Sequence, residues 1–309
     1  MITIFTPTFN RAHTIPRLYE SLKRQNSKDF EWIVIDDDST DGTEKLFDEY
    51  LKDDNDFKIT YEKQTHGGKH RAINKAVKKA SYDWFYIVDS DDYISDDAVE
   101  VIHKWIKENE SDEKIAAVSG SRFNLETNVA MSVPNLLKFN LGLKCLNYER
   151  SMYGLDCDKA EIYRTSILKS HPFPEFENEY FVTEAVVWDS IAIDGYYIAF
   201  YPNVIYYCKY YDDGLTKNDA NGLIGFSKNF LGFLEYVKVQ IKCHGINAQT
   251  KGLVIAAIEI GSKKNFSISN IAEKIEVNQE QLIFIYKENK MNIFQRAVRK
   301  LNHIINKGN

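Results

Sequence analysis

The sequence has few cysteines, no excess of positive charge and no long hydrophobic run. Its four cysteines form no Cys-x-x-Cys pair, which argues against a zinc site or a disulfide framework. The net charge of -6 argues against a general nucleic-acid-binding protein, because such proteins rely on a basic surface. We therefore expect a reducing compartment and no nucleic-acid partner.

The hydrophobic runs are too short for a transmembrane helix, which needs about 20 apolar residues. The best candidate, Leu253 to Ile258, is stopped by Glu259. The N-terminus leads into a strand-like segment, without the basic region and apolar stretch of a secretory signal. These absences predict a cytoplasmic protein. Its 309 residues allow one large α/β domain plus an appendage.

Strand-like and helix-like segments alternate through the first half of the chain, a pattern typical of βαβ units and a mostly parallel sheet. The predicted strands are 2–6, 31–36, 58–62, 84–88 and 116–119, and the predicted helices are 15–25, 43–51, 69–80 and 98–108. Weaker periodicity from 120 to 180 predicts loops and short antiparallel strands. After Gly214 the sequence predicts Lys-rich helices.

Two of the strand-like runs end in clusters of aspartates, at Asp36–Asp38 and at Asp89–Asp92. In an α/β sheet, the carboxyl ends of the strands line the crevice in which ligands bind. Clustered carboxylates repel one another unless a cation joins them. They offer the hard oxygen ligands that Mg2+ and Mn2+ prefer, and these ions usually bind substrate phosphates as well. The pattern predicts a nucleoside diphosphate held through a metal ion.

Four motifs, in order along the chain, resemble those of a known family. They are the segments Ile2–Arg11, Asp36–Thr43, Gly67–Asn74 and Asp89–Asp92. Over residues 1–211 they resemble the family 2 glycosyltransferases of the nucleotide-diphospho-sugar transferase (GT-A) fold. The resemblance implies a Rossmann-like α/β fold, with a mostly parallel sheet flanked by helices. It also implies a catalytic domain at residues 1–215 and a helical C-terminal region at 216–309.

The resemblance implies a nucleotide-diphospho-sugar donor, with UDP as the expected nucleotide. Thr6, Pro7 and Thr8 would contact the base, and Asp37 would accept a hydrogen bond from a uracil-type ring N–H. An alternative interpretation of the Asp36–Asp41 run is a helix cap, because Ser, Thr and Asp are favoured there. Both interpretations hold if the end of the run forms the turn while Asp37 binds.

In the family pattern, Asp89 contacts the ribose or the metal, and Asp91 ligates the Mn2+ or Mg2+ that bridges the two phosphates. Such an ion acts as a Lewis acid on the departing diphosphate. The alternative is a solvated acidic turn, which is the simpler interpretation of Asp92.

Basic side chains follow the Gly67-Gly68 pair at the start of the third predicted helix. Lys69 and Arg71 would face the donor there, because helix N-termini and cations attract phosphates. Gly-Gly pairs more often form plain turns, and basic residues on a helix are usually solvated. The resemblance favours donor contact, more strongly for Lys69 than for Arg71.

An inverting transfer needs a carboxylate that removes the acceptor proton, on the face opposite the leaving group. Many relatives carry Glu-Asp ahead of an aromatic position, and the matching pair here is Glu184-Ala185. Glu184 is therefore the candidate base, and Asp189 is the reserve candidate. The alternative for Glu184 is an ordinary acidic residue at a helix start.

Family members often build bacterial surface polysaccharides, so the resemblance implies a glycan or lipid-linked acceptor. Aromatic residues between 196 and 211 could stack on a sugar, although such residues more often belong to the core. Asp212–Gly214 could close over the diphosphate or form a plain turn. Residues 291–305 predict a basic amphipathic helix, suited to packing, to self-association or to peripheral contact with the inner face of a membrane.

Two other classes of protein stay open. A nucleotidyltransferase that makes nucleotide-sugars would need a Gly-rich basic loop directly after the first strand, where this chain has Thr6–Asn10. A non-catalytic sugar-nucleotide-binding or scaffold module would fit the alanine at position 185, where relatives have aspartate. Turnover of a donor would separate this module from the enzymes.

Overall fold

The structure is a computed structural model that describes residues 1–131, 133–138, 142–209 and 223–289. The chain divides into two compact units, Met1–Gly222 and Leu223–Asn309. The predicted domain boundary after residue 215 lies in the stretch 210–222, outside the described residues, and stays a prediction. Three other predictions also lie outside them: the aromatic positions 210 and 211, the acidic loop at 212–214 and the helix at 291–305.

Ten strands form one sheet in the first unit, in the order β3-β2-β1-β4-β9-β6-β10-β5, with β7 beside β6 and β8 beside β10. The strands are β1 (Ile2–Thr8), β2 (Phe30–Asp36), β3 (Lys58–Lys63), β4 (Trp84–Ile87), β5 (Tyr93–Ile94), β6 (Ile115–Asn124), β7 (Val129–Ala130), β8 (Leu143–Cys145), β9 (Lys159–Arg164) and β10 (Tyr197–Cys208).

The described helices of this unit connect and cover the strands. They are α1 (Ile15–Lys23), α2 (Thr43–Tyr50), α3 (Lys69–Lys79), α4 (Ala98–Glu108), α5 (Val133–Leu136), α6 (Thr165–Ser170) and α7 (Ala185–Ile193), with a 3-10 helix at Asn147–Tyr153. The four predicted helices and five predicted strands are all present. Their ends differ from the predictions by a few residues, most of all in β6, which continues to Asn124.

The strands at the start of the chain, β1 to β4, pair in parallel because helical crossovers connect them. Strand β9 runs antiparallel between β4 and β6, and β10 lies parallel to β6. The antiparallel strands predicted between 120 and 180 are present as β7, β8 and β9. The predicted α/β fold, with a central sheet flanked by helices, is confirmed.

Strand β2 is buried at every position, as expected for a strand with both faces covered. On one face, Trp32 and Val34 belong to a core to which α1, α2 and α4 contribute Leu18, Phe47 and Ile102. Alternate residues point to the other face of the sheet, and α3 packs against β1 and β2. Because helices cover both faces of the sheet, polar side chains lie at its carboxyl edge.

The second unit is helical in its described part, as predicted. Its helices are α8 (Leu223–Lys228), α9 (Phe230–His244), α10 (Ala248–Lys263) and α11 (Ile268–Lys274), and residues 279–289 are also helical. Phe233, Val254 and Ile271 belong to the core between them. The Asn247 side chain caps α10 by accepting hydrogen bonds from two backbone amides. No helix among the described residues has the length and apolar character needed to cross a membrane.

Candidate active site

The sequence-predicted residues of the two acidic clusters lie at one edge of the sheet. Thr8 is in register with Asp36 in the parallel β1–β2 pair, and Phe5 is in register with Ile87 in β1–β4. Asp37 and Asp89 each follow the ends of these strands, so the parallel register places both near the carboxyl end of β1. The two acidic clusters therefore lie side by side at the carboxyl edge of the sheet, as the sequence predicted.

Lys69 connects the donor side of the predicted site, at Asp89, with the candidate base, Glu184. Its ammonium lies 2.7 Å from Asp89 Oδ1 and 2.8 Å from Glu184 Oε1. Burial alone would lower the pKa of Lys69, but the charges of Asp89 and Glu184 outweigh it and raise that pKa. We call the acidic cluster Asp89–Asp92 the donor box. One cation thus holds together a carboxylate of the donor box and the candidate base.

Asp89 and Asp91 have pKa values shifted in opposite directions. Burial would raise the pKa of Asp89, but the charges of Lys69 and Arg122 lower it. Burial, together with the charge of Asp89, raises the pKa of Asp91. A further cation beside Asp91 would offset the repulsion from Asp89. A backbone carbonyl of the same turn is already held, because Arg17 donates a hydrogen bond to the carbonyl oxygen of Asp91.

These two carboxylates fit a divalent ion that also depends on the substrate. Mg2+ is commonly bound by one or two carboxylates plus substrate phosphates, rather than by a cage made only of protein groups. Among the described residues, no group of three or more His, Cys, Asp or Glu side chains could hold a metal by itself. The donor set of Asp89 and Asp91 suits an ion that arrives with a diphosphate.

Asp92 is buried, so its interpretation as a solvated acidic residue is wrong. The Tyr206 hydroxyl donates to Asp92 Oδ2 at 2.8 Å and accepts the Asp89 backbone N–H at 3.0 Å. The Lys209 amide also donates to this carboxylate, at 3.3 Å. Burial, followed by the charges of Asp89 and Asp91, raises the pKa of Asp92 to about 7. Asp92 is an internal brace of the acidic turn.

Arg122, in β6, is a residue that the sequence reasoning missed. Its guanidinium lies over the Tyr206 ring, 4.2 Å from the centroid, and its Nε donates to the Lys159 carbonyl at 2.9 Å. Its charge also lowers the pKa of Asp89, in the way described above. An arginine directly after the apolar and small-residue run 115–121 was the available signal. Arg122 adds a second cation to the acidic edge.

The Asp37 carboxylate is fully engaged by the loop before α3. Oδ1 accepts hydrogen bonds from the Gly67 amide and Gln64 Nε2, each at 2.8 Å. Oδ2 accepts one from the Gly68 amide at 2.8 Å and lies 2.8 Å from His66 Nδ1. Asp37 therefore shapes this loop. For Asp37 to contact the nucleotide base as predicted, the side chain of Gln64 or His66 must move away from its carboxylate.

Three aromatic rings form a cluster beside Asp37. The His66 ring is tilted against the Phe9 ring at 4.9 Å and stacked on the Tyr180 ring at 5.1 Å, measured between centroids. Phe9 and Tyr180 are both exposed. Sequence reasoning did not identify this cluster, because its three members come from three separate loops.

The three residues at the end of β1 differ in what they present. Thr6 is buried, and its hydroxyl accepts a hydrogen bond from Trp32 Nε1 at 3.0 Å. The Thr8 hydroxyl is buried without a hydrogen-bond partner among the described residues. Pro7 is partly buried. Thr8 is therefore the member of this segment whose side chain has unused hydrogen-bonding capacity at the edge.

Arg71 contacts the protein backbone. Its Nη1 donates to the carbonyls of Gly67 and Glu179, each at 2.6 Å, and its Nη2 donates to the carbonyl of Phe176. We call residues 173–184 the strap, an irregular segment that leads from the end of α6 to the start of α7. Direct contact of Arg71 with the donor stays a prediction, and its observed contacts are with the strap and the Gly67 turn.

The two candidate bases occupy different environments. Glu184 directly precedes α7, and its side chain is 42% exposed. Asp189 is buried inside α7 and accepts a hydrogen bond from Asn147 Nδ2 at 2.6 Å. Glu184 is the acid that the structure brings to the donor box, and Asp189 faces the 3-10 helix.

The α/β sheet, flanked by helices and with acidic side chains at its carboxyl edge, has the architecture of the GT-A proteins. The sequence profile of glycosyl transferase family 2 matches residues 3–158, about half of the chain. The chain belongs to this family.

Similar sequences include two poly(ribitol-phosphate) glycosyltransferases. Poly(ribitol-phosphate) beta-N-acetylglucosaminyltransferase TarS of Staphylococcus aureus is 31% identical over 178 residues, which are 56% of this chain and 29% of that protein. Poly(ribitol-phosphate) beta-glucosyltransferase of Bacillus spizizenii is 31% identical over 121 residues, covering 38% of this chain and 19% of its own length. The matched region thus spans less than a third of either relative.

Solved structures confirm the fold. A crystal structure of S. aureus TarS residues 1-349 with UDP-GlcNAc superposes with a TM-score of 0.61 at 22% identity, covering 88% of this chain and 74% of that one. A mannosyltransferase from Pyrobaculum calidifontis with GDP-Man and Mn2+ gives a TM-score of 0.55 at 17% identity, covering 96% and 84%.

Proposed function

We propose that this chain is an inverting, metal-dependent glycosyltransferase. It would move a sugar from a UDP-linked donor to a hydroxyl of a glycan or lipid-linked acceptor, in the synthesis of a bacterial surface polysaccharide. The observation that carries the proposal is the Lys69 ammonium, which lies 2.7 Å from Asp89 and 2.8 Å from Glu184. A donor-binding carboxylate and a candidate base therefore face the same small volume.

The donor side is supported by the acidic edge and by the relatives. Asp91 and Asp89 would hold Mn2+ or Mg2+, and the ion would neutralise charge on the departing diphosphate. Binding of UDP-GlcNAc by the structural neighbour supports UDP, and the Mn2+ in the mannosyltransferase supports a divalent ion. Lys69 and Arg122 would contribute positive charge of their own to the same edge.

The acceptor side depends on Glu184. In a single displacement, the acceptor oxygen attacks the anomeric carbon as the bond from that carbon to the diphosphate breaks, with its electron pair leaving on the diphosphate. The acceptor proton passes to the Glu184 carboxylate, which must be ionised and close to the hydroxyl. The Lys69 ammonium, 2.8 Å from Glu184 Oε1, holds this carboxylate beside Asp89.

The glycan acceptor is proposed from the relatives, two of which are poly(ribitol-phosphate) glycosyltransferases. A cytoplasmic site of action, with peripheral membrane contact or self-association through the 291–305 segment, remains part of the proposal and concerns residues that the structure does not describe.

The main competing function is a non-catalytic sugar-nucleotide-binding module. Ala185 supports it, because this chain has alanine where the Glu-Asp pair of many relatives has aspartate. The ion pair between Lys69 and Glu184 favours the enzyme, since a binding module has no need of a carboxylate held at the donor box.

The experiment is a panel of nucleotide-sugars incubated with the full chain and Mn2+, Mg2+ or EDTA, with release of free nucleoside diphosphate as the readout. The proposal expects metal-dependent release from a UDP-sugar. Metal-dependent binding of UDP, seen as a higher melting temperature, without any release would support the binding module instead. Neither binding nor release from any donor would contradict the donor site as a whole.

A further inference from the structure

The strap has no secondary structure of its own to hold it. Residues 173–184 form neither helix nor strand, and Pro174, like Pro172 just before the strap, lacks a backbone N–H group. Backbone groups in such a segment need partners from elsewhere, because a regular ladder is not available. The strap also carries Glu184 at its end, so whatever fixes the strap fixes the start of α7.

Helix α3 supplies these partners in sequence. Asn74 and Phe173 form a reciprocal pair: Asn74 Nδ2 donates to the Phe173 carbonyl and the Phe173 amide donates to Asn74 Oδ1, each at 2.9 Å. Asn74 Nδ2 also donates to Glu175 Oε1 at 2.8 Å. Asn74 is buried, so its amide is committed to the root of the strap.

Arg71, one turn earlier in α3, holds the middle of the strap. It donates to the carbonyls of Phe176 and Glu179, and its Nε lies 3.5 Å from Glu175 Oε2. A guanidinium has five N–H donors in a rigid fork and stays charged at every physiological pH. With Gly67 O as a further acceptor, Arg71 has at most one N–H left for any other partner.

Two more contacts lead from the first turn of α3 to Glu184. A Cβ on Gly68 would lie 1.9 Å from the Tyr180 carbonyl oxygen, so only glycine allows the strap to approach this closely. Lys69 then contacts Glu184 itself, at 2.8 Å. The start of the helix thus meets the end of the strap, at 180–184, and later residues of the helix meet its earlier part, at 173–179.

We propose that Arg71 and Asn74 are positioning residues that place Glu184 through the strap, and that Arg71 does not contact the donor. The inference rests on the proposed role of Glu184 as the base. The segment Gly67–Asn74, which resembles a family motif, would then have a second role. It would align the acceptor side of the site with the donor side. Loss of either residue should free the strap while the donor box keeps its own contacts.

The variants are Arg71→Ala, Asn74→Ala and Arg71→Lys, with Lys75→Ala as the control. Lys75 lies on the same helix and pairs with Glu62 at 2.6 Å, away from the strap. Three measurements are made on the full chain: hydrogen exchange of the amides of 175–184, calorimetric affinity for UDP with Mn2+, and the rate of sugar transfer.

Arg71→Ala and Asn74→Ala should speed exchange in the strap by about tenfold or more, while exchange in β1 and β2 stays unchanged. UDP affinity should stay within about twofold, and transfer should fall by about tenfold or more, the pattern of an interaction lost on the chemical side. Arg71→Lys should not restore transfer, because an ammonium cannot span three carbonyls. Lys75→Ala should behave as the wild type.

The inference would be overturned if hydrogen exchange in the strap were unchanged in both alanine variants. It would also be overturned if exchange in the strap became faster while the rate of sugar transfer stayed at the wild-type level. If UDP affinity falls by about tenfold and Arg71→Lys restores it, Arg71 is a donor contact and the inference is also wrong. A wild-type chain that binds no UDP and turns over no nucleotide-sugar would contradict the proposed function, whereas the exchange result tests the strap contacts separately.

Discussion

The hydroxyl of Tyr206 lies 2.8 Å from Asp92 Oδ2, a contact between residues 114 positions apart in the sequence. The same oxygen receives the backbone N–H of Asp89, so strand β10 sets the shape of the acidic turn after β4. The metal-binding geometry proposed for Asp89 and Asp91 therefore depends on a tyrosine whose sequence context predicts only packing.

Tyr206→Phe tests this brace, because it removes one oxygen and keeps the ring beneath Arg122. The buried Asp92 carboxylate would lose its hydroxyl donor, which should destabilise the fold by about 1–3 kcal/mol. We also expect weaker Mn2+-dependent binding of UDP. Urea denaturation and calorimetry measure the two effects. Tyr207→Phe is the matched control, since the Tyr207 ring stacks on Tyr93 and should tolerate the change. Equal behaviour of the two variants would contradict the brace.

Asp91→Ala should abolish turnover and most of the metal-dependent affinity for UDP while leaving the fold intact. Burial and the charge of Asp89 raise the pKa of Asp91, so removal of this carboxylate relieves repulsion and should not destabilise the protein. Calorimetry of UDP with and without Mn2+ gives the affinity, and thermal melting gives the stability. A metal requirement that survives the substitution would exclude Asp91 as a ligand.

Asp37→Asn should reduce both stability and nucleotide binding. The carboxylate receives the amides of Gly67 and Gly68, so a neutral side chain loses charge-assisted bonds and should cost about 1–3 kcal/mol. Discrimination between UDP and other nucleoside diphosphates should also weaken. Asp38→Asn is the control, because Asp38 is exposed and pairs with Lys63 at 3.5 Å. Loss of stability with unchanged UDP affinity and base selectivity would make Asp37 a loop-shaping residue only.

His70 should make the fold less stable in mild acid. It is buried, its ring nitrogens have no hydrogen-bond partner among the described residues, and burial followed by the charge of Arg71 lowers its pKa to about 4. The unfolded chain, with an ordinary pKa near 6.5, binds the proton first as the pH falls. Stability should therefore fall between about pH 6.5 and pH 4, by up to about 3 kcal/mol.

His70→Phe keeps a planar ring but removes this titration, so the free energy of unfolding should depend less steeply on pH over the same range. Urea titrations at several pH values measure the slope. His13→Gln is the control, since His13 is exposed. An identical pH slope in the wild type and His70→Phe would show that His70 does not contribute.

The sequence predicted the parts of the site that follow from local pattern. Aspartates after apolar runs predicted the acidic edge, because the carboxyl ends of parallel strands meet at one side of the sheet. Helix boundaries near Lys69 and Ala98 followed from periodicity and glycine turns. Family motifs selected Asp37, Asp89 and Asp91.

The remainder depends on pairings between distant segments, which no local pattern contains. Lys69 meets Glu184 only because the strap lies along α3, and the strap has no periodicity to predict its course. Asp92 looked solvated because its partner is on β10. Arg71 resembled a donor contact because a basic residue at a helix start attracts anions, yet backbone carbonyls take its donors.

The role of Glu184 as the base that removes the acceptor proton is tested most directly by the transfer rate of Glu184→Gln beside that of Asp189→Asn. Glutamine keeps the shape of the side chain but cannot accept the proton, so transfer should fall by about 10²-fold or more, the scale of general-base catalysis. Affinity for UDP and Mn2+ should change little. Asp189→Asn should transfer at nearly the wild-type rate, because Asp189 faces Asn147. Full transfer by Glu184→Gln, or loss of transfer in Asp189→Asn alone, would contradict the account.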